Sequence, residues 1–168
     1  MANWTLDKAH SEIIFKVRHM TISNVRGAFK NFDVTLETEG EDFDQVKSEA
    51  VIQTNSISTN NEERDKHLRS AEFFDTERYP EITFKASGLR DEVTGDLIIN
   101  GVTKPVTLNV EFGGISKDPW GNTKAGFSFT GKIKRGDFGL TWNAALETGG
   151  VMVSDDVQIA GELQFIKG

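Results

Sequence analysis

The sequence predicts an all-β domain, an antiparallel meander of about eight strands with one short helix. Three observations carry this reading. Apolar and polar residues alternate with a period of two through most of the chain, the mark of strands with one dry face and one wet face. Compact turn chemistry falls between the alternating runs. A single segment breaks the pattern with acid–base pairs at helical spacing. The chain has no linker, repeat or low-complexity tract, so residues 1–168 are read as one domain with length for one substantial interior.

The first run sets Ile13, Phe15 and Val17 against Glu12, Lys16 and Arg18. Parity flips between Phe29 and the set Phe32, Val34 and Leu36, which predicts a bulge or bend near Lys30 and Asn31. After Glu39-Gly40 comes a weaker run, Val46, Ser48, Ala50 and Ile52. Thr59 to Ser70 reads as the helix. Thr59 and Glu62 stand at capping-box spacing, and Glu62–Lys66, Glu63–His67 and Asp65–Arg69 are pairs worth about 0.2–0.5 kcal/mol each. Its polarity places it on the surface or over an opening of the sheet, with Phe73-Phe74 returning to the body.

Ile82, Phe84 and Ala86 then alternate with Glu81, Thr83 and Lys85, and Gly95-Asp96 reads as punctuation. Asn100-Gly101, between Leu97-Ile98-Ile99 and Val102, is the strongest hairpin signal. Val106, Leu108, Val110 and Phe112 alternate with Thr107, Asn109 and Glu111 as far as the tight turn Asp118-Pro119-Trp120-Gly121. Phe127, Phe129, Gly131 and Ile133 follow, and beyond Gly149-Gly150 comes the clearest run, Val157, Ile159, Gly161, Leu163 and Phe165. Such strands build a sandwich or a barrel. The small inward residues Gly131, Gly161, Ala50, Ala86 and Ser48 favour a hollow barrel.

Composition excludes several function classes. No apolar run reaches the roughly 18 residues of a membrane span, so stable membrane insertion is not expected. Met1 to Met20 lacks the apolar core of a secretion signal, so the expectation is a cytoplasmic protein. The absence of cysteine removes disulfides, thiolate catalysis and thiolate metal sites. Nineteen Lys and Arg against 26 Asp and Glu give a formal charge of −7, which repels phosphate backbones and argues against nucleic acid. Twelve phenylalanines beside one tyrosine and three tryptophans supply large apolar area without a polar handle.

Candidate chemical groups are few. His10 and His19 stand at the two ends of one strand, about 30 Å apart when extended, and His67 has no second histidine at helical spacing, so no metal site is expected. His10-Ser11 with Asp7 suggests a hydrolase, but neighbours on a strand face opposite ways and no strained nucleophile turn is present. No catalytic residue is assigned. The helix carries a candidate anion site for a phosphate headgroup, at Arg64 and His67, and His19 is a polar group on the inward set. The inward apolar stripe consists of Phe15, Val17, Phe29, Ile52, Phe84, Leu108, Val110, Phe127, Phe129, Ile133, Ile159 and Leu163. It lines either a core or a ligand cavity, because the two share composition.

Several blocks together resemble the YceI-like, polyisoprenoid-binding family. These are His10-Ser11-Glu12-Ile13 with Phe15, Val17 and His19; Val25-Arg26-Gly27-Ala28-Phe29; and Arg64-Asp65-Lys66-His67-Leu68-Arg69-Ser70 with Phe73-Phe74-Asp75. Pro80-Glu81-Ile82-Thr83-Phe84, the stretch from Gly95 to Val106, and Arg135-Gly136-Asp137-Phe138-Gly139-Leu140 continue in family order over nearly the whole chain. The resemblance implies an extended, lipocalin-like, eight-stranded antiparallel barrel with a short helix near one end. Its pore would hold a long isoprenoid or fatty chain, for transport, storage or shielding, with no cofactor, catalytic residue or metal. A homodimer is left open. The alternatives are an enzyme acting on a lipid, or a filled-core scaffold or stress-response module.

Overall fold

The computed structural model describes residues 2–19, 23–39, 42–71, 73–88, 91–140 and 153–167. Its strands are β1 (Ala2–Leu6), β2 (Glu12–His19), β3 (Ser23–Phe29), β4 (Phe32–Glu39), β5 (Asp42–Gln53), β6 (Ile57–Ser58), β7 (Glu81–Ser87), β8 (Glu92–Ile99), β9 (Val102–Lys117), β10 (Thr123–Lys134) and β11 (Val153–Lys167). Three staves are each made of two of these pieces. A 3₁₀ turn at Lys8–His10 divides β1 from β2, the bend at Lys30 and Asn31 divides β3 from β4, and a 3₁₀ turn at Thr54–Ser56 divides β5 from β6. The result is an eight-stranded antiparallel barrel. It closes because β11 pairs β10 on one side and both β1 and β2 on the other, with Leu6 opposite Phe165 and Phe15 opposite Ile159.

The bend at Lys30 and Asn31 is the parity flip expected from the sequence, and it turns both Phe29 and Phe32 inward. Its backbone groups stay paired, Lys30 N–H donating to Ser56 and Gln53 N–H to Asn31. The Asn100-Gly101 turn has φ of 56° and 75°, the doubly left-handed pair of a type I′ hairpin. Gly113 is an extra residue in β9, since Gly126 pairs Gly114 while Phe127 pairs Phe112. Gly114, at φ +100°, takes the backbone angle that this bulge requires. Phe112 and Ile115 thereby share the inward face, although both are exposed where this hairpin runs past the barrel.

Two readings are corrected. Gly95-Asp96 is not a turn; both residues lie inside β8, paired with Ala86 and Lys85 of β7. The helix, α1 (Glu62–Arg69), is capped by Asn61, whose side chain accepts from Arg64 N–H, and not by a Thr59–Glu62 box. Thr59 is used differently: its N–H and hydroxyl both donate to buried Asp65. Asp65 is therefore anchored to the strand side rather than to Arg69, and Arg69 pairs Glu62 instead, at 3.0 Å.

The buried apolar residues fall into two clusters, one toward each end of the barrel. The first centres on Trp4, Phe43, Phe127 and Phe165, with ring centroids 5.1–5.8 Å apart. Trp4 is 2% exposed and donates its indole N–H to Thr38 Oγ1 at 2.9 Å, so its one polar atom is satisfied. The second, at the end covered by α1, contains Phe29, Ile57, Ile82, Leu97, Ile99, Phe138 and Leu140, with Leu68 and Phe74 packed on it.

Outside the wall, His10 Nδ1 hydrogen-bonds Asp7 Oδ2 at 2.8 Å, and Lys124 stands 3.8 Å from Asp7 and 3.7 Å from Asp118. The His10 hydrogen bond holds the Asp7 carboxyl below the usual range, against the opposing effect of burial. Asn122 does the same for Asp118. A depressed carboxyl stabilises the fold above its unfolded pKa, and this contribution is lost as pH falls through the folded value. In Asp7→Asn the fall in thermal stability from neutral pH to about pH 3 should accordingly be smaller than in the parent protein. Trp4→Ala should lower the unfolding free energy by about 3–5 kcal/mol in denaturant titration, because it empties a filled site and removes the hydrogen bond to Thr38 Oγ1.

Candidate functional site

Between the two clusters the barrel is hollow. The cavity measures about 260 Å³, well above the roughly 150 Å³ at which an apolar cavity stays dry and takes up benzene. All twelve residues of the inward stripe line it, from Phe127, Leu163 and Phe129 through Val110, Leu108, Ile159, Ile52, Phe84, Phe15 and Val17 to Phe29 and Ile133 at the α1 end. Strand alternation places them there, and the cross-strand registers bring them level: Phe129 faces Val110, and Phe15 faces Ile159.

The lining is almost wholly apolar. Its only polar side chains among the described residues are Ser48 and Arg135. Ser48 donates its hydroxyl to the Ala86 carbonyl at 3.3 Å, which satisfies it within the wall. Arg135 is the feature that sequence reading missed. It opens the 3₁₀ turn Arg135–Phe138, is 6% exposed, and donates from a guanidinium nitrogen to Leu140 O at 2.6 Å. Burial lowers its pKa from the ordinary value, and the charge of Asp155 opposes that shift. The guanidinium stays charged nonetheless, as arginines in proteins do. By alternation it falls on the inward parity of Phe129, Gly131 and Ile133, but an arginine at the end of a strand reads as a solvated residue.

Of the three candidate headgroup residues, His19, Arg64 and His67, the two on the helix belong to the same end of the barrel as Arg135 but do not line the cavity. Arg64 donates from Nε and a terminal nitrogen to the hydroxyl and carbonyl of Thr59, both at 2.8 Å, which ties it to the base of α1. His67 stands edge-on to Phe73, with ring centroids 5.1 Å apart. His19 ends β2, paired with Val153 and Ser23, and its side chain lies outside the described residues, as does Gly149-Gly150. The Asp7, His10 and Ser11 group is on the outer side of the β1–β2 kink. There Ser11 Oγ donates to Asp7 O and accepts from Gln164 N–H, which pins β11. No cluster of three or more His, Cys, Asp or Glu with metal-holding geometry occurs among the described residues, and no described helix is long and apolar enough to cross a membrane.

The small inward residues require a further correction. Gly161 and Gly131 are not themselves gaps in the wall, because the ring of Phe129 lies over the first and Leu108 over the second. The hollow exists because the eight staves close at this circumference and the inward side chains lie along the wall.

The pattern of the YceI-like domain matches residues 4–165 of the chain. A UPF0312 protein of Staphylococcus aureus (strain N315) is 43% identical over 167 residues, covering 98% of each chain. Among solved structures, the Campylobacter jejuni YceI protein is similar at 34% identity and a TM-score of 0.74, over 95% of each chain. Burkholderia cenocepacia BcnA (24% identity, TM-score 0.78, 95% of this chain and 98% of that one) shares the fold. A polyisoprenoid binding domain from Saccharophagus degradans (18%, 0.72, 98% of each) shares it too.

A ring that borders a cavity on one side has fewer neighbours to lose than a ring in a filled core. Phe129→Ala should therefore cost the ligand-free protein clearly less than the ~3–5 kcal/mol typical of a solid core, and Thr130→Ala, facing outward, should cost little. Denaturant unfolding of the three proteins checks both.

Proposed function

The chain belongs to the YceI-like family, and from that premise we propose that it binds a long-chain apolar lipid, an isoprenoid, in the barrel lumen. Transport, storage or shielding of that lipid is the purpose we assign to it. The observation that carries this reading is the apolar cavity, bounded by a hydrogen-bonded wall. A polyisoprenoid binding domain of the same fold, that of S. degradans, supports the choice of lipid. Catalysis on a lipid is the weaker reading: acid–base chemistry needs titratable groups converging on the substrate, whereas the described lining offers a guanidinium and one hydroxyl already donated to the wall.

The polar head of the lipid is assigned to the α1 end, beside Arg135. A buried guanidinium bordering an otherwise apolar space attracts phosphate or hydrogen-bond-accepting oxygen strongly, because little water competes there. The tail then runs toward Phe127 and Phe165.

Organic extraction of the purified protein, followed by mass spectrometry, should release a long-chain apolar compound in near-stoichiometric yield. Protein that is empty, and that takes up neither an isoprenoid quinone nor a polyprenyl phosphate, would refute the reading. Arg135→Met should weaken polyprenyl phosphate binding by about tenfold or more, the discrimination expected for one buried charge-assisted contact. Binding of squalene, which has no head, should change little. Equal loss of both ligands would place the head elsewhere.

A further inference from the structure

Three phenylalanines border the cavity from different strands and share one arrangement. Phe15 of β2, Phe84 of β7 and Phe129 of β10 each have the ring against a glycine of an adjacent strand: Gly27 of β3, Gly95 of β8 and Gly161 of β11. Gly27 is the register partner of Phe15, and Gly161 that of Phe129. A Cβ on Gly27 or Gly161 would clash with the neighbouring ring, and one on Gly95 would lie 2.6 Å from Phe84 Cζ. None of these glycines has the left-handed backbone that favours glycine, so what they supply is space rather than flexibility. All three rings are only half-buried although they face inward, so the remaining ring surface belongs to the cavity wall.

We propose that Gly27, Gly95 and Gly161 set the bore of the lumen. They admit three rings into the plane of the wall and so leave room for a methyl-branched chain. This rests on the lipid-binding reading above and adds the specificity element to it. Any side chain at these positions must displace the ring, and the only free direction is inward. An isoprenoid bears a methyl group on every repeat and has a wider cross-section than a polymethylene chain. Narrowing the bore therefore acts on the branched ligand first, and the aromatic–glycine pairs are selectivity determinants rather than filler.

Gly27 gives the cleanest test. There the three atoms nearest a Cβ all belong to the Phe15 ring, whereas at Gly95 and Gly161 the nearest three include the backbone oxygens of Lys85 and Glu12, at 2.5 and 2.8 Å. The probes are geranylgeraniol and hexadecanol, which share main-chain length and terminal hydroxyl and differ in methyl branching and in the double bond of each repeat. Gly27→Ala should bind geranylgeraniol at least about tenfold more weakly while hexadecanol stays within about threefold, the range over which a single carbon in a tight pocket discriminates. Adding Phe15→Leu should restore geranylgeraniol binding. Phe15→Trp, which enlarges the ring over Gly27 instead of displacing it, narrows the same bore should Gly27→Ala fail to fold. Wild-type protein that binds neither alcohol overturns the lipid-binding reading and this proposal with it. Wild-type binding with unchanged geranylgeraniol affinity in the folded variant, equal loss of both probes, or no rescue by Phe15→Leu overturns the bore assignment alone.

Discussion

Everything inside the barrel depends on the ladder that joins the first strand to the last. A β-sheet left open exposes a row of unpaired N–H and C=O groups and must cover one face with other structure. By pairing Trp4 with Lys167 and continuing through Phe15 and Ile159, the chain satisfies its backbone around the circumference. The wall then holds its shape through main-chain hydrogen bonds, and the interior is released from the demand for dense packing that a sandwich of the same strands would impose. A closed ladder is what makes an apolar hollow tolerable.

Much of this was legible in the sequence, for a simple reason. Side-chain direction in a strand is fixed by parity, so alternation alone placed Phe15, Phe84, Phe129 and Ile159 on the inner face. The flip between Phe29 and Phe32 marked a real bend, and Asn100-Gly101 a real type I′ turn. What parity cannot show is who lies above whom. Gly161 was read as empty space, yet its partner Phe129 fills that space, a relation visible only once the register is known. Nor does alternation reach residues outside strands. Thr59 and Asn61 exchange capping roles because Asp65 turns back to the strand side, and Arg135, though on the inward parity, reads as solvent-facing because of its charge. The Ala2–Leu6 strand was missed as well, because its short alternation gains meaning only from partners at Thr35, Leu36 and Phe165.

The energetics of an apolar ligand explain why so few polar groups can matter. Burying an isoprenoid in the lumen gains little over leaving it in a bilayer, where the same surface is already dry, so the hydrophobic contribution of about 25 cal/mol per Å² largely cancels between the two homes. Discrimination then falls to shape and to charge. A buried guanidinium in a described lining that is otherwise almost wholly apolar would have a disproportionate effect, while exposed pairs such as Lys85 with Glu49 add little.

The cavity also makes the protein a volume-sensitive object. Expressed per mole, 260 Å³ is roughly 150 mL, larger than the ~20–100 mL/mol by which proteins usually contract on unfolding, and that contraction scales with internal void. Hydrostatic pressure favours whichever state occupies less space. Whatever part of the hollow excludes water adds to the contraction on unfolding, and a lipid that fills the hollow removes that contribution. A ligand that fills the hollow would stiffen the shell, so that resistance to compression would report occupancy.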